Sequence, residues 1–187
     1  MVQFRASIRI LSSMNTPPLP QSPSDLPPSP FRLPLSVWLA TGLGTGLWAP
    51  APGTAGAAIG SLVAWGISYL PSFAWQLAAI LGLNLVGIPL CTAAGRALGG
   101  KKDNQAIIWD EIMSMPIVFL FVPFGGWTVA FAGFALHRLF DITKPPPARQ
   151  LEHLPDGLGV MADDWVAALY AAVALYSLAW AGVSLGR

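Results

Sequence analysis

FAWQLAAILGLNLVGIPLCTAA, residues 73–94, is a predominantly apolar run without a charged residue. An α-helix needs roughly 20 such residues to cross the hydrocarbon core of a bilayer. The run reaches that length, and Pro89 predicts a kink near its end. Cys91 also lies here and is the one cysteine of the chain, so an intrachain disulfide is excluded and an inert core residue is expected. The stretch therefore predicts a membrane-spanning helix.

The composition of the whole chain agrees with that prediction. Of its 187 residues, 54% are hydrophobic and 10% are charged, whereas an ordinary soluble domain has about 25% charged residues. So few charges cannot cover a water-facing surface, and we expect an integral membrane protein. The eight tryptophans suit a protein that is anchored at two membrane interfaces. The net charge of +1 provides no basic field, which argues against nucleic acid as a partner.

Further apolar runs accompany the first. They occupy residues 57–70, 106–123, 127–140 and 160–183. The runs at 57–70 and 127–140 are short for a crossing, so either is alternatively a re-entrant segment. We predict an all-α fold, a polytopic membrane helical bundle with about five membrane segments.

The N-terminal part differs in kind from the rest. Prolines alternate with serines between Pro17 and Pro34, a composition typical of a disordered or extended tail. Arg5 and Arg9 precede an apolar patch that is too short and too broken for a signal peptide. We predict a proline-rich disordered tail over residues 1–34 and a membrane domain over the rest, 35–187.

Basic residues follow one side of the predicted bundle, and cytoplasmic loops are the ones that collect lysine and arginine. Arg32 precedes the first segment, Lys101 lies between the second and third, and Lys144 lies between the fourth and fifth. The opposite connections, 71–72 and 124–126, carry no charge. We therefore expect a cytoplasmic N-terminal tail, an external C-terminus, and an active site on the cytoplasmic face.

Acidic side chains occur where apolar runs begin or end. A carboxylate inside a membrane segment costs about 2.5–3.5 kcal/mol, and nearby cations are too few to neutralise every acid. Hard oxygen ligands suit magnesium. We predict that Mg²⁺ is held by Asp110, Asp163 and Asp164, and that Glu111 or Asp141 orients the attacking water or orders the metal shell. For each acid taken alone, solvation at the interface or helix N-terminal capping is the alternative.

Cations and glycines suited to a phosphate lie on the same predicted face. Arg138 and Lys144 are expected to hold phosphate oxygens, with Gly53 and Thr54 adding backbone N–H and hydroxyl donors. The alternatives are that the two cations anchor the helices at lipid headgroups, and that the glycines serve close helix packing. Residues 37–60 are not a Walker A loop, because no lysine follows the glycines.

Together these groups predict hydrolysis of a lipid phosphate ester at a membrane surface. The catalytic candidates are Asp110, Glu111, Asp141 and Lys144. Direct attack by a metal-activated water and a covalent aspartyl-phosphate intermediate both stay open. Neither His137 nor His153 has a spacing partner for a metal site.

Four blocks contain every predicted metal, catalytic and phosphate-binding residue named above. They are ATGLGTGLWAPAPGTAG (40–56), IIWDE (107–111), HRLFDITKPPP (137–147) and GLGVMADD (157–164). Taken in this order, they resemble the phosphatidylglycerophosphatase A family across about residues 36–183. The resemblance implies a bacterial inner-membrane, multi-pass, magnesium-dependent lipid phosphatase that converts phosphatidylglycerophosphate to phosphatidylglycerol in phospholipid biosynthesis.

Three positions depart from the family pattern. Ser114 stands where the family has a glycine, Ala57 where a serine is usual, and His137 where an aromatic residue is more frequent. Serine and alanine are small enough for packing to survive. We expect these changes to affect fine positioning more than the class of reaction.

Two other classes of membrane protein are alternatives to a lipid phosphatase. A phosphatidyltransferase that uses a nucleotide-activated lipid would carry a DG-x2-AR block followed by spaced aspartates, which the sequence lacks. A small cation transporter or an assembly subunit without catalysis would place ionisable residues near the bilayer midplane. Here the acids lie at segment ends on one face, which favours an active site.

Overall fold

The computed structural model describes residues 33–100 and 104–181, and these residues form helices without a strand. The all-α prediction is therefore confirmed for them. The predicted proline-rich tail lies outside the described residues, apart from its last two positions. The helices are α1 (Leu35–Ala40), α2 (Thr45–Trp48), α3 (Pro52–Ser68), α4 (Phe73–Ala97), α5 (Trp109–Val118), α6 (Trp127–Thr143), α7 (Ala148–Leu151) and α8 (Asp156–Trp180).

Two helices, α4 and α8, are long and apolar enough to cross a membrane, with 25 residues each. They correspond to two of the five predicted segments. The helices at the other three segments are shorter: α3 and α6 have 17 residues each and α5 has 10. At about 1.5 Å per residue, a helix as short as α5 covers only about half of the hydrocarbon core. By length, α4 and α8 can each cross the hydrocarbon core, α3 and α6 are at the lower limit for a crossing, and α5 is too short, so helix length does not establish five crossings in the described part of the chain.

The glycine-rich stretch divides into a turn and a helix start. Gly42 and Gly44 have positive φ values of 58° and 88° in the turn between α1 and α2, a conformation that costs glycine little. The buried Thr41 hydroxyl donates to Val37 O and accepts from Gly44 N–H, so it serves this turn. Only the second part of the stretch, from Pro50 to Thr54, reaches the cavity described below.

Helix α5 lies at the centre of the packing, between α3, α4 and α8. A Cβ on Gly60 of α3 would lie 2.7 Å from Ile112 O of α5, so only glycine allows the two backbones this close. The sequence alternative of close glycine packing is therefore correct for Gly60. Met115 of α5 packs with Ala168 and Leu175 of α8 in the buried core.

A buried amide ties α4, α5 and α8 together. Asn84 of α4 donates to Ile80 O at 2.8 Å and to Met113 O of α5 at 2.9 Å. Its carbonyl accepts the indole N–H of Trp165 in α8 at 2.7 Å. Because buried polar groups are costly when unpaired, this network holds α4 in register with α5 and α8, the two helices that carry Asp110, Glu111, Asp163 and Asp164.

Candidate active site

A polar cavity of about 380 Å³ opens where the first turns of α3 and α5 meet the end of α6 and the N-terminal part of α8. Residues that are distant in sequence converge here because α3 and α5 begin at the same end of the bundle at which α6 finishes. Every site residue predicted from the sequence lines this cavity: Gly53, Thr54, Asp110, Glu111, Arg138, Asp141, Lys144, Asp163 and Asp164.

Three carboxylates form the tightest group in the cavity. Asp110 and Glu111 occupy the first turn of α5, and Asp164 projects from α8. One ligand atom from each lies within 4.8 Å of the others. Asp110 Oδ1, Glu111 Oε2 and Asp164 Oδ2 are buried without a hydrogen-bond partner. Unpaired buried carboxylate oxygens at this spacing fit a hard divalent cation, which accepts several oxygen ligands at once.

The charges in the cavity do not balance. Five carboxylates line it, whereas Arg138 and Lys144 are its two cationic side chains. Burying like charges together is costly unless a counter-charge is present. The excess of negative charge is therefore a second reason to expect a bound cation.

Asp163 lies beside this group but has a different partner. Its Oδ2 accepts from Lys144 Nζ at 2.8 Å, while its Oδ1 is buried and unpaired. The geometry thus groups Glu111, instead of the predicted Asp163, with Asp110 and Asp164. Asp163 keeps one oxygen with which it can join them.

Lys144 also contacts a residue that the sequence analysis did not single out. Its Nζ lies 3.2 Å from Glu152 Oε2 in addition to the contact with Asp163. Partial burial lowers the pKa of Lys144, but the hydrogen bonds and attraction from Asp163 and Glu152 outweigh it and raise the pKa above its ordinary value. Lys144 therefore stays protonated at neutral pH. An ammonium has three donors, so one remains for a ligand. No motif distinguishes Glu152, which directly follows the short helix α7.

Arg138 and Asp141 form an ion pair one turn apart on α6. Their side chains are only 19% and 15% exposed, so the pair is shielded from solvent. The guanidinium lies against the start of α3, where a Cβ on Gly53 would be 3.0 Å from Arg138 Nη1 and 2.5 Å from Glu111 Oε1. Gly53 therefore keeps open the space between a cation and an acid.

The start of α3 adds backbone donors to this wall of the cavity. Pro52 occupies the first turn, and no side chain caps the helix. The N–H groups of the first turn have no partner within a helix, and those of Gly53 and Thr54 belong to that turn. With Arg138 alongside, this end of α3 is suited to an anion. The predicted phosphate-binding residues are thus brought together.

Two buried polar side chains support the site from below. Ser114 of α5 and His137 of α6 are both 0% exposed, and Ser114 Oγ lies 2.9 Å from His137 Nε2. Ser114 follows Glu111 by one helical turn, and its hydroxyl also donates to Glu111 O. His137 immediately precedes Arg138. The contact joins two of the three positions at which the sequence departs from the family pattern, a pairing that no spacing rule predicts.

The chain is similar over most of its length to proteins of one family. Residues 38–179 match the family model described as Phosphatidylglycerophosphatase A. A Haemophilus influenzae protein named phosphatidylglycerophosphatase A is 37% identical over 143 residues, which is 75% of this chain and 86% of the relative. The Escherichia coli protein of the same name is also 37% identical over 143 residues, 74% of this chain and 80% of the relative.

A third relative has a different name. A Bacteroides thetaiotaomicron protein, provisionally named a phosphatidylinositol-3-phosphatase, is 35% identical over 153 residues, which is 78% of this chain and 94% of the relative. No solved structure gives a significant match. The family match and these relatives confirm the predicted enzyme class, a phosphoric monoester hydrolase, and the chain belongs to the phosphatidylglycerophosphatase A family.

Proposed function

We propose that this protein removes the terminal phosphate of phosphatidylglycerophosphate, giving phosphatidylglycerol and inorganic phosphate, in a magnesium-dependent reaction. One observation carries the proposal. Three carboxylates with unpaired buried oxygens share one cavity with a cation and an uncapped helix start that suit a phosphate. The proposed substrate is taken from the relatives named phosphatidylglycerophosphatase A.

We assign the metal to Asp110, Glu111 and Asp164, with Asp163 Oδ1 as a further candidate ligand. A bound Mg²⁺ would polarise the phosphoryl group and lower the pKa of a coordinated water. The residues themselves set the geometry. Asp110 and Glu111 are held by the first turn of α5, and Asp164 is held by α8 against it.

The phosphate oxygens are bound by groups that lie beside this cluster in the same cavity. Arg138 and the N–H groups of Gly53 and Thr54 neutralise and orient the monoester, and the remaining donor of Lys144 completes the contact. Asp141 fixes the Arg138 guanidinium through their ion pair. Water attacks phosphorus, the P–O bond to the glycerol oxygen breaks, and the proton that the attacking water loses balances the proton that the leaving oxygen gains, so that the products are the alcohol and inorganic phosphate. Asp141 or Glu111 is the candidate for orienting the water.

The membrane arrangement is part of the proposal. Helices α4 and α8 cross the inner membrane of a bacterium, and the cavity faces the cytoplasm. Support comes from the length and apolar character of these two helices. It also comes from the basic residues near the cavity end of the bundle, Arg96, Arg138, Lys144 and Arg149, as cytoplasmic faces collect such residues.

A phosphoinositide is the second candidate substrate, because one relative is provisionally named a phosphatidylinositol-3-phosphatase. Both substrates are lipid phosphate monoesters and would use the same cation and acid contacts. They differ in the headgroup that must fit the mouth of the cavity.

A substrate panel separates these functions. Purified protein in detergent would be given phosphatidylglycerophosphate, phosphatidylinositol-3-phosphate, phosphatidic acid and a CDP-activated lipid, with phosphate release and the lipid product as the readouts. We expect the highest kcat/KM for phosphatidylglycerophosphate. A preference for the phosphoinositide would replace the proposed substrate. Turnover of a CDP-activated lipid without phosphate release would overturn the reaction class.

A further inference from the structure

An apolar groove of about 390 Å³ lies between α3 and α6, beyond the polar cavity. Its one hydroxyl side chain, Ser61, already donates a hydrogen bond to Ala57 O, so its donor needs no polar ligand. Aromatic and aliphatic side chains form most of its wall and remain open to the surroundings, with Trp127 76% and Phe131 68% exposed. The groove is lined chiefly by Ala58, Leu62, Trp65, Trp127, Phe131 and Phe134.

The groove is continuous with the phosphate-binding wall because both are built by the same two helices. Gly53 of α3 lies against Arg138 of α6 at the polar cavity. Ala58 follows Gly53 along α3, and Phe134 precedes Arg138 along α6, so both lie about 6–8 Å further from the cavity at about 1.5 Å per residue. The helices run antiparallel here, and the groove follows the seam between them.

The length of the seam matches one leaflet of a bilayer. From Gly53 to Trp65 the helix rises about 18 Å, and one leaflet of the hydrocarbon core is about 15 Å deep. A molecule with a phosphate at the Arg138 end would therefore direct its apolar part along the groove into the hydrocarbon.

We propose that this groove binds one acyl chain of the lipid substrate while its phosphate occupies the polar cavity. The inference rests on the proposed function, since it needs a lipid phosphate in that cavity. It adds a binding site for the chain, and it predicts that catalytic efficiency depends on chain length. The wall of the groove is chiefly apolar and carries no charged side chain, so chain length and shape are what it discriminates.

Filling the groove tests the proposal. Ala58 is exposed at the groove wall on α3, so Ala58→Phe narrows the groove without disturbing the buried core. Ala78→Phe is the matched control, because Ala78 is an exposed alanine on α4 that lines neither the groove nor the polar cavity. Each variant would be assayed with long-chain phosphatidylglycerophosphate and with the same headgroup bearing two four-carbon chains.

We expect Ala58→Phe to raise KM for the long-chain substrate about tenfold, because several methylenes lose their apolar contact, with kcat and the short-chain KM unchanged. Ala78→Phe should behave as wild type on both substrates. The widening variant Phe131→Ala should also weaken long-chain binding selectively.

Other results would overturn the inference. Equal effects of Ala58→Phe on the two substrates, or no effect on either, would exclude the groove as a chain site. A change in oligomeric size in detergent, with chain-length dependence intact, would identify the groove as an interface between copies. If wild type hydrolyses neither substrate, the proposed function itself fails. If wild type hydrolyses the long-chain and short-chain substrates with equal efficiency, the groove is excluded as an acyl-chain site and the proposed function is unaffected.

Discussion

Asp110, Glu111 and Asp164 hold like charges close together in a buried place, with one ligand atom from each within 4.8 Å of the others. Such a cluster is destabilising without a counter-charge, because each carboxylate loses hydration and repels its neighbours. At the residue scale the cluster therefore lowers the stability of the metal-free protein while it provides a binding site for a cation. Both effects can be measured without any substrate.

Removing one of these charges should stabilise the metal-free protein. We expect Asp164→Asn to raise the melting temperature in chelator and to lose the stabilisation that Mg²⁺ gives wild type, about 2.7 kcal/mol at a hundred times Kd. Thermal unfolding in detergent, with and without Mg²⁺, measures both effects. Asp156→Asn is the control, because Asp156 pairs with Arg96 on the surface. A Mg²⁺ shift retained in Asp164→Asn would contradict the assigned ligand.

The space left by Gly53 should matter for catalysis more than for folding. A Cβ there would lie 2.5 Å from Glu111 Oε1 and 3.0 Å from Arg138 Nη1, so Gly53→Ala displaces an acid and a cation of the site. We expect kcat/KM to fall about a hundredfold, as when a transition-state donor is misplaced. Gly66→Ala on the same helix is the control, since nothing lies within 4 Å of its Cβ. Equal activity of the two variants would rule out the phosphate-binding role of this helix start.

The sequence was most informative at the residue scale. It identified every acid and cation that lines the cavity, because each lies within an apolar run or directly after one, where a charge is costly. It could not identify Glu152 as a partner of Lys144, nor choose Glu111 over Asp163 as the close neighbour of Asp110. Adjacent acids on one helix point in different directions. Only the packing of α5 against α8 therefore decides which of their carboxylates lie close together.

At the scale of elements, Ser114 and His137 form a buried polar contact between α5 and α6. Their buried hydrogen bond of 2.9 Å lies beneath Glu111 and Arg138. In the sequence these residues are two separate departures from a family pattern, since nothing in their spacing indicates that they are in contact. The two helices thus meet through a polar contact at the level of the active site.

A double-mutant cycle should reveal this coupling. We expect Ser114→Ala to destabilise the protein by about 1–3 kcal/mol, because the histidine is left buried and unpaired. His137→Phe with Ser114→Ala should cost less than the sum of the single changes. Denaturant or thermal unfolding measures the stabilities, and KM against kcat shows whether Arg138 has moved. Additive effects would show that the contact does not couple the helices.

Element boundaries were predicted less well than element type. The stretch 106–123 contains a helix of only 10 residues, because the chain turns at Phe119 and again before Trp127. Gly53 and Thr54 were predicted only as donors to a phosphate, and they form the first turn of α3, since Pro52 is favoured at a helix start. An apolar run is expected both for a helix that is buried inside a protein and for a helix that contacts lipid. Helix α5 is apolar but short because it is buried within the bundle.

At the scale of the whole molecule, the proposed orientation places the cavity in the cytoplasm. In a Cys91→Ala background, Ser72→Cys lies on the connection between α3 and α4, and His153→Cys lies near the cavity end of the bundle. Both positions are exposed. We expect a membrane-impermeant thiol reagent to label Ser72→Cys in intact cells and His153→Cys only after lysis. The reverse pattern would invert the topology.

The central claim is that this acid cluster performs metal-dependent phosphate hydrolysis. The most direct measurement is phosphate release from phosphatidylglycerophosphate by the detergent-purified protein, in Mg²⁺ and in chelator, for wild type, Asp110→Asn and the surface control Asp156→Asn. We predict release only with Mg²⁺, retained in Asp156→Asn and reduced by at least about a hundredfold in Asp110→Asn, since even outer-shell changes at metal sites cost 10–100-fold. Release that persists in chelator, or wild-type release by folded Asp110→Asn, would contradict the claim.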